Sequence, residues 1–385
     1  MRILFSSPSA VGHIHPMIPL AKALQARGHE LRWATGPEQV ERIAGAGIPA
    51  TAAGLTGPAM REAYRSRYPE ATSIPAQEMR GHVLPKMFGA VATPPMLADL
   101  LLLARDWRPD LLVHDASEFA GAIAGAKLGV PHVTHSFGAV IPSRFLRLAG
   151  AELAPLRAEH GLEPDEFAGA YQHLYLDIYP PSMQTGDLAA GRSQQLRPVT
   201  ADVVANHAQP QPAVQRGSRP LVYLTFGTVF NRNPTFTAAV TALSGLDVDL
   251  LVTIGIDNDP QGLGPQPSNV RVERYIAQSL ILDQCDLVVS HAGSGTLLAT
   301  LARGIPQLCL PQAADQFLNA GAVAAAGAGV ELAPDEATAE AIAAAARRLL
   351  GEPSFRTTAS AIAAEIAAMP EAPVVAEVLE RLVRN

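Results

Sequence analysis

The sequence predicts an α/β chain folded as two parallel-sheet domains that face each other across a cleft. Three observations predict it. The 385 residues exceed what one ordinary core holds and suit two domains. A strand, a glycine-bearing turn, a helix and a second strand follow one another in the first 35 residues, and the unit recurs downstream. An aperiodic stretch at 206–220, rich in proline, then separates this half from a tighter succession of short strands and helices.

In the first half, residues 3–6 read as a buried strand and 16–27 as a helix closed by Gly28. Residues 29–35 read as a second strand and 38–46 as a helix ending at Gly47. The pattern returns with a strand at 110–114, a small-residue helix at 119–128 and a strand at 131–134. Two stretches, 51–107 and 136–184, read as irregular, the first partly helical, and both carry aromatic and methionine residues. In the second half, strands are predicted at 221–225, 250–254, 270–273, 287–290 and 307–310. Helices are predicted at 236–243, 278–284, 295–302 and 316–326, and residues 373–382 form an amphipathic tail. Such strands joined by crossover helices form parallel sheets, which bind ligands beyond the carboxyl ends of their strands.

Apolar residues make up 48% of the chain and charged residues 17%, which excludes a mainly disordered protein. The net charge of -7, with no dense basic stretch, excludes a general nucleic-acid binder and leaves small molecules as the expected partners. Cys285 and Cys309 lie in apolar, strand-like runs and read as buried free thiols of a reducing compartment. The opening MRILFSSPSAVGH lacks a long apolar region and a cleavage site. No stretch approaches 18 consecutive apolar residues free of turn signals. A cytoplasmic protein without a membrane span is expected.

Two constellations carry chemistry. His13, in Gly12-His13-Ile14-His15-Pro16, follows the first strand and stands on the rim of its sheet. Its near-neutral pKa suits a general base if a carboxylate fixes its tautomer, and Asp115, at the carboxyl end of the strand LLVH, offers one. Helix capping is the alternative for both. His15 is a weaker base candidate, and His114 points away from the Asp115 side of its strand.

The second constellation is His291-Ala292-Gly293-Ser294-Gly295-Thr296, which follows the strand DLVVS and opens a helix. A helix start presents unpaired N–H groups and a positive dipole end to an anion. Gly293 and Gly295 let the backbone approach a phosphate, Ser294 and Thr296 can donate hydroxyls, and His291 can hydrogen-bond a phosphate oxygen. Gly227 and Thr228 end the strand LVYLTF opposite, so both loops could converge on one diphosphate; two ordinary tight turns are the alternative. Asp315-Gln316, after the strand QLCLP, either bond sugar hydroxyls or cap a helix. No Gly-Lys-Ser/Thr follows a glycine run and the N-terminal turn lacks GxGxxG, which demotes phosphoryl transfer and nicotinamide redox chemistry. His13 and His15 have no clear third ligand, so no metal is expected, nor any cofactor beyond a co-substrate.

The GHxxP loop, the strand-ending PDLLVHD, HAGSGT and PxxxDQ occur in this order. Together they resemble the bacterial natural-product glycosyltransferases, inverting enzymes of the UDP-glycosyltransferase-like kind with two facing Rossmann-like domains, the GT-B fold. The resemblance covers essentially the whole chain. It implies His13 as general base and Asp115 as the acid that orients it. His291, Gly293, Ser294, Gly295 and Thr296 match the diphosphate loop, with Thr228 facing them, and Asp315 and Gln316 match the pair on the donor sugar. Where relatives carry a Trp-Val-Pro-Gln-like stretch that packs its tryptophan on the nucleobase, this chain has Tyr275-Ile276-Ala277-Gln278, without the Trp and the Pro. Backbone contacts from Ile276 are then expected in place of full stacking by Tyr275.

The resemblance further implies an acceptor-binding domain at 1–205, a linker at 206–219, a nucleotide-sugar domain at 220–369 and a C-terminal helix at 370–385 that crosses back. It implies transfer of a (deoxy)sugar, usually from a thymidine-diphosphate donor, to a hydroxyl or aromatic carbon of a hydrophobic aglycone. Met79, His82, Met87, Phe88, Phe137 and Tyr171 are candidates for the acceptor side, with core packing the alternative for each. A homodimer is the candidate assembly. Two rivals are a nucleotide-sugar epimerase on the same plan and a non-catalytic helper that binds a nucleotide sugar. A base opposite the phosphate loop disfavours the first, and retention of both motifs disfavours the second.

Overall fold

The structure, a computed structural model, describes residues 1–75, 78–184, 186, 191–199, 217–227, 233–256 and 258–384. The N-terminal sheet contains β1 (Arg2–Ser6), β2 (Glu30–Thr35), β3 (Ala50–Ala52), β4 (Leu111–Asp115), β5 (His132–His135), β6 (Leu174–Asp177) and β7 (Ser193–Gln195), in the order β3-β2-β1-β4-β5-β6-β7. The C-terminal sheet contains β8 (Leu221–Thr225), β9 (Asp249–Thr253), β10 (Val270–Glu273), β11 (Leu287–Ser290), β12 (Gln307–Cys309) and β13 (Gly329–Glu331), in the order β10-β9-β8-β11-β12-β13. Adjacent strands run parallel in both. Their central strands are buried on both faces, as in LLVHD of β4 and LVYLT of β8, which is why these runs are apolar rather than alternating.

Each sheet reverses its winding at its first strand. β1 has β2 on one side and β4 on the other, with Ser6 beside His114; β8 lies between β9 and β11, with Thr225 beside Ser290. The loops leaving β1 and β4 therefore turn to opposite faces and open a crevice, and so do those leaving β8 and β11. These two crevices position the site.

The helix Ile18–Ala26 buries Ile18, Leu20, Ala21 and Leu24, and Gly28 ends it at a φ of +82°. The last helix, Ala372–Arg384, buries Val375, Ala376 and Leu379 and packs on Ile18–Ala26. Arg27 grips Glu380 with two nitrogens at 2.7 and 3.0 Å, and His29 adds a third contact at 2.9 Å. One apolar cluster joins Ile3, Ile18 and Ile178 of the first half to Ala292, Val323 and Ile362 of the second.

Several elements depart from the sequence reading. Residues 136–184 are not irregular: they contain the helix Ser143–Glu159 and β6. That helix buries Leu146, Ala149, Gly150, Leu153 and Arg157, an i, i+3, i+4 stripe weakened in the sequence by small residues, an arginine and the internal Pro155. Met79–Trp107 is one continuous helical run, with a π-helical stretch at Val83–Ala92, and is long and apolar enough by composition to cross a membrane, contrary to expectation. Its prolines read as turn signals but are absorbed by the wider π turns and by the first turn of Thr93–Trp107. It packs on Ala120–Leu128 and Ser143–Glu159. The edge strands β3 and β13 and the helices Ala339–Gly351 and Pro353–Ala368 had no counterpart in the sequence reading. Cys285 and Cys309 are free and buried, but Cys285 lies past the helix Gln278–Leu282 and outside any strand.

Candidate active site

At the β1/β4 crevice, the turn after β1 runs straight into the short helix Val11–Ile14, which carries His13. Asp115 is the last residue of β4 and is wholly buried. Because β1 and β4 are neighbours, His13 Nδ1 meets Asp115 Oδ1 at 3.0 Å. Ser117 fixes that oxygen further, with its backbone N–H at 2.8 Å and its hydroxyl at 2.6 Å. Asp115 Oδ2 is buried without a hydrogen-bond partner among the described residues, so the carboxylate is held through Oδ1, by His13 and Ser117 together. Burial alone would push the His13 imidazole down, but the charge and hydrogen bond of Asp115, with the charge of Asp315, outweigh it and raise its pKa. The acceptor at Nδ1 fixes the proton there and leaves Nε2 as the basic nitrogen. Phe137 lies 4.3 Å and Phe88 5.9 Å from the ring, centroid to centroid.

At the β8/β11 crevice, Gly293 is the N-cap of the helix Ser294–Leu301 and supplies no side-chain cap. The N–H groups of the first turn are thus available to an anion. His291 lies against Gly227, where φ is +67° and an added Cβ would stand 3.0 Å from the ring, and against Gly293, where it would stand 2.6 Å away. Burial pushes the His291 imidazole down to about 4, against the opposing pull of Asp315 and of the Thr225 backbone. It is a neutral hydrogen-bonding group at ordinary pH. Thr296 Oγ1 accepts from Gln278 Nε2 at 2.9 Å, which aims its own hydrogen elsewhere. Ala292 and Ala314, in the two loops of this half, are non-glycine residues with φ of 60° and 58°, a strained backbone of the kind found at sites held by their surroundings. Thr228 lies outside the described residues.

The two halves meet. Ser294 donates to Asp315 Oδ2 at 2.7 Å, and Gly138, in the loop after β5, lies so close to Ser294 that an added methyl would collide with its hydroxyl. Gln316 is buried, with Oε1 accepting the backbone N–H groups of Gln312 and Ala313 at 2.8 and 3.0 Å, so it closes its own loop. Ile276 is buried in the core of the second half while Tyr275 is partly exposed. Of the acceptor candidates, Phe88 and Phe137 flank His13. Met79 and His82 instead gather on Tyr64, whose hydroxyl is 2.6 Å from His82 Nδ1, and Met87 packs in the same small cluster. Tyr171 stacks edge-on against Tyr175 at 5.2 Å.

Three residues escaped the sequence reading. Ser117 follows Asp115 in D-A-S, a turn signal in which a carboxylate takes an N–H two residues on. Asn319, four residues after Asp315 on one helix, bonds Ala292 O, Ser294 Oγ and Asp315 Oδ2, each at 3.0 Å, and its helical spacing was the available signal. Glu118 is buried and holds the start of Ala120–Leu128 through Ala120 N and Gly121 N. Burial raises it to about 7. Among the described residues, no group of three His, Cys, Asp or Glu side chains could hold a metal ion.

Known proteins share this fold. The family described as erythromycin biosynthesis protein CIII-like matches with its N-terminal domain at residues 22–216 and its C-terminal domain at 237–383. The L-demethylnoviosyl transferase of Streptomyces niveus is 33% identical, over 98% of this chain and 97% of its own length. The elloramycin glycosyltransferase of Streptomyces olivaceus is 35% identical, over 96% of this chain and 94% of its own. Among solved structures, the spinosyn rhamnosyltransferase SpnG complexed with thymidine diphosphate superposes with a TM-score of 0.81 at 29% identity, covering 99% of this chain and 100% of that one. The glycosyltransferase VinC in complex with dTDP gives a TM-score of 0.81 at 26% identity, with both chains fully covered. With two facing parallel-sheet domains of the GT-B kind and matches along its length, the chain belongs to the erythromycin biosynthesis protein CIII-like family and is a glycosyltransferase of antibiotic biosynthesis.

Proposed function

We propose that this enzyme transfers a deoxysugar from a thymidine-diphosphate donor to a hydroxyl or aromatic carbon of a hydrophobic natural-product aglycone, with inversion at the anomeric carbon. The observation that carries the reading is the meeting of the two halves: Gly12, His15 and Phe137, around the paired His13, line one cavity with Gly295 and Leu298 of the uncapped helix Ser294–Leu301. In-line displacement needs the acceptor to attack from the face away from the leaving diphosphate. His13 Nε2 takes the acceptor proton as the new bond forms, and Asp115 holds the ring and stabilises the imidazolium. The leaving diphosphate is received by the N–H groups and dipole of the helix, with His291 and Thr296 adding neutral donors, so turnover is expected without a divalent metal. Asp315, tied to Ser294 and Asn319, is the residue for the sugar hydroxyls, and Gln316 shapes its loop. The acceptor side belongs to residues 1–205 and the donor side to 220–369. Two buried free thiols fit work in the reducing cytoplasm.

The test is incubation of the purified protein with thymidine-diphosphate and uridine-diphosphate sugars and hydroxylated polyketide or aromatic acceptors. Products are read by mass spectrometry and their anomeric configuration by NMR. An inverted glycoside, formed equally well after exhaustive chelation, is the expected result. A sugar that is altered while still attached to its nucleotide would mean an epimerase. Nucleotide-sugar binding with turnover only beside a second protein would mean a helper.

A further inference from the structure

Arg80, in the short helix Met79–His82, carries a guanidinium that the machinery above does not use. Its Nη1 is buried and has no hydrogen-bond partner among the described residues. An arginine has five donors in a rigid fork and cannot shed its charge, so a buried nitrogen without an acceptor is costly unless something else supplies one. Its close company is aromatic: its Cζ lies 5.9 Å from the centroid of Phe145, and the Cζ of Arg144 lies 4.5 Å from the same ring. Gly81 keeps that ring close, since an added Cβ there would stand 3.2 Å from Phe145 Cε1. Of the charges that reach Arg80, Arg144 repels it, and Asp315 attracts it as it also attracts His13. Phe145 packs in the same apolar cluster as Phe88 and Phe137, the two rings beside His13, so the imidazole and the guanidinium border one aromatic wall, and two cations share one ring of it.

We propose that Arg80, assisted by Arg144, binds an acidic group of the acceptor, a carboxylate or an ionised phenol or enol carried on a planar aglycone that lies against Phe145. Arg80 is then a residue that determines specificity. This rests on the glycosyl-transfer reading and names its acceptor class. The donor diphosphate is the less suitable anion, because it has the start of Ser294–Leu301 for its own and must leave away from His13, whereas Arg80 belongs to the same side as Phe88, Phe137 and the base. A fork of parallel N–H groups matches a carboxylate in two bonds, which an ammonium cannot do.

The experiment measures binding without donor, by calorimetry on the full chain, for 3-hydroxy-2-naphthoic acid and its methyl ester. The wild type is expected to bind the acid at least tenfold more tightly. Arg80→Gln should bring the two within twofold, Arg80→Lys should keep part of the preference, and Arg144→Gln should lose less than Arg80→Gln. Thymidine diphosphate affinity and melting temperature should stay unchanged in all three. Equal binding of acid and ester by the wild type, or binding of neither at millimolar concentration, overturns the proposal. So does a loss of thymidine diphosphate affinity in Arg80→Gln, which would give the guanidinium to the donor. Because no sugar is transferred in this measurement, failure of the glycosyl-transfer reading would appear separately, as a wild type that prefers the acid yet makes no glycoside.

Discussion

The two halves of the site use the same topological device and fill it differently. Both lie where a parallel sheet reverses, at β1/β4 and at β8/β11. The N-terminal half is made of side chains: an imidazole, a buried carboxylate and a serine joined by hydrogen bonds of 2.6–3.0 Å. The C-terminal half is made of backbone: a glycine N-cap, an open first turn, and a histidine held neutral between two glycines. The difference matches the two tasks proposed for these halves. A proton acceptor needs one titratable atom with a tuned pKa, while a diphosphate needs several fixed donors and a positive field. Substituting a side chain should therefore hurt the first half most, and adding a methyl should hurt the second.

The largest effect is expected at His13. His13→Ala should lower kcat by about 10² to 10⁴-fold on an aliphatic alcohol acceptor, with thymidine diphosphate affinity nearly unchanged. Near-normal turnover would make the pair structural. The pH profile sharpens the point. In the proposed mechanism the neutral imidazole is the active form, and its pKa is raised, so kcat should fall as pH drops through a value above the ordinary 6.5. Asp115→Asn removes the main raising influence, so the acid limb should move to lower pH while the maximal rate falls. A limb that stays in place would separate His13 from Asp115.

A smaller effect is expected in the C-terminal half. Thr296→Ala removes one donor to an anion and should weaken thymidine diphosphate binding by about tenfold, near 1.5 kcal/mol. Gly293→Ala should cost at least as much although it deletes nothing, because its Cβ displaces the His291 ring and the turn that presents the N–H groups. Calorimetry on the two variants decides it. An untouched Gly293→Ala would mean that this half, too, works through side chains.

The smallest effect is a gain. Ala314 is exposed and holds a φ of 58°, which costs an alanine about 1–2 kcal/mol, against about 0.5–1 kcal/mol for the extra freedom of glycine in the unfolded chain. Ala314→Gly should therefore raise stability by about 0.5–1 kcal/mol in thermal melts. If it also lowers kcat, the strain helps to hold Asp315 in place.

The sequence by itself determined many of the local elements and the reading as a glycosyltransferase. Strands 221–225, 270–273 and 287–290 were legible to the residue, because runs rich in valine and leucine between turn signals admit one reading. The positions of His13, Asp115 and the 291–296 loop at the carboxyl ends of strands were legible, because turn signals and helical patterns follow each of them. The tertiary structure alone decided which of these meet. Strand order is a matter of non-local pairing, and it is the placement of β1 beside β4 that brings His13 within 3.0 Å of a carboxylate 102 residues away. Likewise, only packing turned Gln316 onto its own loop, drew Met79 and His82 to Tyr64 while leaving Phe88 and Phe137 beside His13, and buried Arg80 with an atom unanswered. Local propensity sets what a segment becomes; which segments become neighbours is set by burial of their apolar faces and satisfaction of their polar groups, and no window of sequence contains both partners.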